Sequence, residues 1–477
     1  MEMLTFAIDI EGGAPLYLQL YDYIKSEIQS GNITCSTKLP SKRKLSLHLG
    51  ISQNTIQAAY DQLIEEGYIM PVDRKGFFVC KLDNIVKLES VSKSDTKEIR
   101  TSSHHADYDF SYHGVDRPNF PFTTWRRITK DVINEYDTEL LKSGNIQGYA
   151  KLRNSIAAYL WQSRGVNCSA DQIVISAGTE YLFQILIQLL DMNSVYGIEN
   201  PGYEKLNLLF SSSRAKFKAI NIDHEGMVLE EIRKSSANVI CITPAHQFPS
   251  GGIMPINRRI QILNWANERS NRYIIEDDYD SEFKYSGKPI PALQGLDSSG
   301  KVIYMGAFSK SLSPSLRISY MVLPEKLAKE FADRMSFIIC PVPIIEQKVL
   351  CRFIQDGYFE RHLNKMRNIY KKKRETLTEA IRKTESPIEI LGADAGLHLI
   401  LRVNNGMSER QLVEEALKAG VRVYGLSKYY FDKEYLCKKP EILLGYATMG
   451  EEEITEAIKI LNKAWFSDSK HLEGKVS

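Results

Sequence analysis

The sequence predicts two domains of different class: an N-terminal winged helix-turn-helix of α+β type, and after it an α/β domain on a mostly parallel sheet. Three observations lead there. Residues 1–82 hold three short segments of helical apolar spacing followed by a hairpin signal. Residues 83–106 are polar, carry scattered serines among charges and lack aromatics, which is the composition of a linker. From Asp107 to Ser477, short apolar strand candidates alternate with helical segments, as in a sheet covered by helices.

The first domain can be justified element by element. Pro15 is placed to open a helix whose Tyr17, Leu20, Tyr21, Ile24 and Ile28 share one face, and Gly31 and Asn32 end it. A second helix is expected from Ser41 to Leu49, with Leu45 and Leu49 inward and Gly50 as its C-terminal cap. Ser52 caps a third, in which Ile56, Ala59, Tyr60 and Leu63 repeat with helical spacing, and Gly67 stops it. Strands Tyr68–Val72 and Phe77–Leu82 flank the turn Asp73–Gly76.

Charge makes this domain a DNA-reading candidate only locally. Residues 1–80 carry seven Lys or Arg against nine Asp or Glu. Lys38, Lys42, Arg43 and Lys44, however, fall in a stretch from Ser36 to Tyr60 without an acid, beside a helix N-terminus whose amides favour phosphate. Ser52, Asn54 and Thr55 sit in the first turn of the third helix, the turn that enters a major groove in this motif. Arg74 and Lys75 tip the wing. The plainer alternative is a small interaction domain with a solvated charged face.

In the second domain the strand candidates are Ile173–Ser176, Val195–Ile198, Val239–Thr243, Tyr273–Glu276, Val302–Met305 and Ile318–Val322. A smaller α/β portion is expected from about Ile344. The run from Gly306 to Arg317 places an amine, Lys310, among hydroxyls and an Arg, which suits an aldehyde cofactor that carries a phosphate. Asp277, at a strand end, is placed to keep a ring nitrogen protonated. Tyr279, two residues on, faces the same way and can bond a ring hydroxyl. Ser309 and Arg317 can hold the phosphate. Gly178 and Thr179, in the turn Ser176–Glu180, add backbone amides at a helix start. Tyr203 can stack on the ring. Each of these residues has a bland reading taken alone; their order and spacing carry the argument.

The bulk numbers bound the rest. A chain of 477 residues with 43% hydrophobic and 25% charged residues is an ordinary globular protein of two or three domains. Its net charge of +2 predicts no particular partner. Seven scattered cysteines without a CxxC spacing point to reduced thiols and no metal site. Glu2, Asp9 and Glu11, with no apolar run in the first 30 residues, argue against a secretory signal, and no apolar run suits a membrane span, so a cytoplasmic protein is expected.

Longer strings carry a family resemblance. Lys38–Leu45, Ile51–Thr55, Leu63–Ile69 and Lys75–Val79 resemble the GntR family across nearly the whole first domain. The set from Ser176 to Arg317 resembles fold-type-I aminotransferases. Arg74–Val79, His246–Gly251, Ile275–Phe283 and Ile303–Tyr320 together are similar to the MocR subfamily of GntR regulators, and most of all to its GABA-responsive branch. The resemblance implies a fold-type-I aminotransferase domain with pyridoxal 5'-phosphate held as an internal aldimine on Lys310. It implies DNA contacts by Ser41, Arg43, Ser52, Asn54 and Thr55, with Lys42 and Lys75 adding charge and Gly76 at the wing tip. It implies a head-to-tail, domain-swapped homodimer on a double-stranded operator, controlled by an amino-compound effector that forms an external aldimine. Two positions depart from the family. Lys205 and Lys428 stand where it uses Arg to hold the effector; Lys keeps the charge and loses the fork. That weakens the case for GABA itself and leaves an amine-bearing carboxylate as the effector class. A working aminotransferase with an appended domain, with at most residual turnover in the regulator reading, and a sensor of pyridoxal phosphate itself are the rival readings.

Overall fold

A computed structural model of the chain describes residues 14–82, 106–134, 137–285, 290–432 and 439–466. The chain divides into two compact units, Met1–Ser102 and Ser103–Ser477. All but the last residue of the expected linker lies outside the described residues.

In the first unit, α1 (Leu16–Ser30) starts after Pro15, which is the N-cap itself, and ends at Gly31 with φ 82°. α2 (Lys42–Leu49) is capped by Ser41, whose Oγ accepts the Lys44 N–H at 3.3 Å. α3 (Gln53–Glu65) is capped by Ser52, whose Oγ accepts the Thr55 N–H at 3.1 Å. Strands β1 (Ile69–Val72) and β2 (Gly76–Val79) pair antiparallel, Ile69 opposite Val79. Leu20, Ile24, Leu45, Ile56, Tyr60 and Leu63 are completely buried and hold the helices together. Leu49, expected inward, is only half-buried. The wing also gains an edge unread from the sequence: Lys38 bridges to Phe78, with Leu39 N–H donating to the Phe77 carbonyl at 2.9 Å.

The second unit is built on an eight-stranded sheet. In chain order its strands are β4 (Ile173–Ser176), β5 (Val195–Asn200), β6 (Lys216–Asp223), β7 (Gly226–Met227), β8 (Val239–Ile242), β9 (Tyr273–Asp278), β10 (Val302–Ala307) and β11 (Ser319–Val322), after a short β3 (Tyr108–Asp109) that belongs elsewhere. The order across the sheet is β4-β11-β10-β9-β8-β5-β6-β7. β10, β9, β8, β5 and β6 run parallel, whereas β11 is antiparallel to both its neighbours. Every residue of β4, β8 and β11 is buried, as expected of strands covered on both faces.

A second, antiparallel sheet of order β12-β13-β16-β15 comprises β12 (Ile388–Leu391), β13 (His398–Val403), β15 (Tyr424–Gly425) and β16 (Glu441–Gly445). The small portion expected from Ile344 also takes in residues from far upstream. β3 pairs in parallel with β14 (Val421–Arg422), Tyr108 opposite Val421. Among the described residues no helix is long and apolar enough to cross a membrane.

This architecture brings three segments to one edge of the large sheet: the turn from β4 into the helix Thr179–Leu189, the end of β9, and the turn after β10. They are C-terminal ends of strands, where open α/β sheets place their ligands.

Candidate cofactor cleft and DNA-reading face

Lys310 lies in the turn after β10 and shares one cleft with Thr179, Tyr203, Asp277, Tyr279 and Ser309. Its ammonium donates to the Tyr112 carbonyl and stands 5.8 Å from the centre of the Tyr112 ring. Burial pulls Lys310 down to about 8, against a smaller opposing pull from Asp280. A Lys held there is free amine about a tenth of the time at pH 7, far more than an ordinary Lys, and that is the form that attacks an aldehyde.

Asp277 is the penultimate residue of β9. Its Oδ1 is buried without a partner, and burial, then the charges of Asp278, Glu199 and Asp280, push the carboxyl up to about 7. An orphaned buried carboxylate oxygen is costly unless a cation meets it, and a protonated pyridine nitrogen is such a cation. At the other end of the cleft, Gly178 caps the helix Thr179–Leu189 with φ 110°, and a Cβ there would collide with the Arg317 guanidinium. Backbone amides, the hydroxyls of Thr179 and Ser309, and a cation thus converge at a helix N-terminus, the donor set of a phosphate site. The residues present fit pyridoxal phosphate at both its ring and its phosphate ends.

The remaining nominated residues fall in two groups. Tyr203 is in the cleft, edge-on to Phe248 with centroids 5.9 Å apart. Arg317, in left-handed backbone at φ 51°, gives its guanidinium to Glu180 at 2.9 Å. Lys205 reaches the other oxygen of the same carboxylate at 3.4 Å. Lys428 is exposed over the rings of Tyr429 and Tyr424, at 4.8 and 5.1 Å from their centres, and no carboxylate among the described residues pairs with it. Burial, followed by the charges of Lys310, Lys205 and Lys428, holds His113 down at about 4. The charges of three ammonium groups therefore reach the His113 imidazole, which lines the cleft and is partly open to solvent.

Several cleft residues were not nominated from sequence: Tyr112, His113, Thr243, Phe248, Asp280 and His398. Phe248 and Asp280 lie inside the strings that carried the family resemblance, which was the available signal. Tyr112, His113 and His398 reach the cleft from distant parts of the chain and carry no local motif.

On the reading face, Arg43, Lys44, Gln53, Asn54 and Lys75 are exposed, with Gly76 at φ 108° closing the wing turn. Ser41 spends a lone pair on capping, which leaves its hydroxyl proton for a phosphate oxygen. Thr55 is drawn to Ser52, Oγ to Oγ1 at 2.8 Å. Lys42 is half-buried, bonded to the Gln57 side-chain oxygen and 5.9 Å from the centre of the Phe77 ring. Arg43 and Lys44 are thus the exposed cations of the helix-two N-terminus that make no side-chain bond among the described residues. Arg43→Ala is expected to weaken binding to all DNA sequences alike and to lower the salt slope of log K by about 1. Affinity measured over a salt series checks this.

The pairing of a class I aminotransferase sheet and cleft with a winged helix defines a DNA-binding protein built around pyridoxal phosphate. Residues 114–461 match the family described as aminotransferase class I and II, and residues 16–79 match the bacterial regulatory proteins of the gntR family. An uncharacterized HTH-type transcriptional regulator of Bacillus subtilis, YdeL, is 41% identical over 94% of this chain and 97% of its own length. The probable rhizopine catabolism regulatory protein MocR of Rhizobium meliloti is 32% identical over 96% of each chain. Among solved structures, kynurenine aminotransferase of Pyrococcus horikoshii, in a complex with PMP, is similar with a TM-score of 0.67 and 26% identity, covering 76% of this chain and 91% of that one. The chain belongs to the MocR subfamily of GntR-family transcriptional regulators: it binds DNA through its first domain, and its cofactor is pyridoxal 5'-phosphate.

Proposed function

We propose that this regulator senses a primary amine that also carries a carboxylate, and that the amine engages the cofactor at Lys310. The observation that supports this best is the cleft itself, where the Lys310 amine and His113 share a lining with Asp277, whose buried Oδ1 has no partner among the described residues. When bound, pyridoxal phosphate supplies an aldehyde that condenses with primary amines. In this reading Lys310 holds the cofactor, and only an amine can displace it. Asp277 keeps the ring nitrogen protonated and Tyr279 offers its phenol to the ring hydroxyl. Tyr203 covers the ring, while Gly178, Thr179, Ser309 and Arg317 hold the phosphate. Lys428, which has no carboxylate partner among the described residues, takes the effector's carboxylate, and Lys205 is half-neutralised by Glu180. Kinship with the GABA-responsive branch is not what the relatives above carry, so the effector class is argued from these cations alone.

The same reading includes a head-to-tail, domain-swapped homodimer acting in the cytoplasm. The strongly exposed Leu141 and Ile339 flank a crevice lined by Lys142–Asn145 and Cys340–Ile344, which gives the second unit apolar surface to bury.

The test is a titration of purified full-length protein with amino acids of different chain length, following the visible chromophore and operator binding together. An amine that shifts both supports sensing. A chromophore shift with continuous release of a keto product and unchanged DNA affinity would make the chain an aminotransferase instead. Within that titration, Lys428→Ala is expected to raise the effector concentration for the half-maximal shift by well over tenfold, since removing one side of such a contact costs about 2–5 kcal/mol. Lys428→Arg should restore it. A Lys428→Ala curve that overlays the parent for every carboxylated amine removes this residue from the site.

A further inference from the structure

A buried cluster beside the cleft has no part in the reading above. His246 follows β8, Asp280 follows β9 and His398 opens β13; they are 2%, 1% and 3% exposed. His246 Nδ1 lies 3.0 and 3.1 Å from the two Asp280 oxygens and 2.9 Å from the Tyr279 phenol oxygen. An ionised carboxylate can only accept, and Asp280 has no other side-chain hydrogen bond among the described residues. The Nδ1 proton is therefore directed to Asp280. The phenol cannot also donate to that nitrogen. Its oxygen faces an N–H, and its own proton is left for the cleft, whose wall Tyr279 shares with Lys310.

The surroundings fix this arrangement. His246 Nε2 is buried with no partner among the described residues, so a second ring proton there would be an unsatisfied donor. His398 is committed elsewhere, its Nε2 3.0 Å from the Pro249 carbonyl, and burial with the nearby His246 holds it down at about 3. Gly396, at φ 71°, leaves the space that any side chain would take from His246 and Asp280. The charged or titratable groups around the network are Glu199 on β5, Asp277 and Asp278 at the end of β9, Lys310 after β10, His398 on β13, and Tyr285 and Tyr446 near Asp280.

We propose that His246, anchored by Asp280, is a positioning residue that aims the Tyr279 proton at the ring oxygen of the bound cofactor and thereby sets the pH at which the Lys310-linked chromophore changes colour. The inference rests on the cofactor reading above. A donor on that ring oxygen stabilises its negative charge and makes it less basic. Without the donor, the oxygen holds the proton it shares with the Lys310 nitrogen more tightly, and the colour change moves to higher pH.

The experiment is a spectroscopic pH titration of the full-length, cofactor-reconstituted protein and its variants. Tyr279→Phe is expected to raise the midpoint by roughly one unit, the worth of one hydrogen bond to a charged group. His246→Ala should move it the same way, and the double variant should go no further than Tyr279→Phe alone. His246→Asn, which can place an N–H where Nδ1 stood, should keep the parent midpoint, whereas His246→Gln should not. If His246→Ala fails to fold, the Asn and Gln variants carry the test, and equal midpoints for those two overturn the proposal. So does an unshifted midpoint in His246→Ala. A parent protein with no chromophore removes the cofactor reading along with this one, whereas a parent chromophore indifferent to His246 removes only this one.

Discussion

Lys310→Ala is expected to abolish covalent retention of pyridoxal phosphate while leaving the fold intact. The Lys310 side chain sits in a turn, and its hydrogen bond among the described residues is to a backbone carbonyl, so its loss opens no core cavity. The proposed phosphate donors and Asp277 remain, and the cofactor should still bind, reversibly and without its protein-linked chromophore. Borohydride reduction followed by peptide mapping provides the measurement. The parent protein should carry the label on the Lys310 peptide and the variant should carry none. A label on any other lysine sinks the assignment.

Asp277→Asn has opposite effects with and without cofactor. In cofactor-free protein the carboxyl is pushed up to about 7 by burial and neighbouring acids. The unfolded chain loses this proton near its ordinary pKa of about 4, so between about pH 4 and 7 the native state binds more protons than the unfolded one, and stability falls as pH rises. An Asn removes that dependence. Cofactor-free Asp277→Asn should match the parent near pH 4 and exceed it by about 2–4 kcal/mol at and above pH 7. Once cofactor is added the order reverses, because Asn cannot pair with a cationic ring. Cofactor affinity should drop by about 2–5 kcal/mol, or roughly thirty- to several-thousand-fold. Denaturation at several pH values and a cofactor titration give both halves. A variant no more stable than the parent at pH 7 would show that Asp277 is not under this penalty.

The sequence revealed what local chemistry dictates. The six strands expected in the second domain are there to within a few residues, because strands covered on both faces read as apolar runs. β6 escaped notice: Lys216, Lys218 and Asn221 break its apolar pattern near one end of the sheet. Lys310, Asp277 and Tyr279 were visible because each stands at the end of a strand with a distinctive side chain. The sharing of Glu180 by Arg317 and Lys205 was not, since it depends on where side chains from three segments meet. For the same reason the His246–Asp280 pair appeared only as part of a motif. In the first domain Ser52 was legible as a cap, whereas Ser41, expected inside the second helix, caps it, and the turn of Lys42 toward Gln57 belongs to packing between helices.

The pairing of β3 with β14 fixes where the polypeptide leaving the DNA reader is made fast. Tyr108 and Asp109 are clamped to Val421 and Arg422, with the Tyr424 hydroxyl donating to an Asp109 carboxylate oxygen at 2.8 Å. Three residues past Asp109, the Tyr112 carbonyl takes the Lys310 ammonium, and His113 enters the cleft next to it. The first strand of the second unit and the residue that accepts the Lys310 hydrogen bond are thus neighbours in the chain, so the β3–β14 pairing holds in register the backbone that faces Lys310.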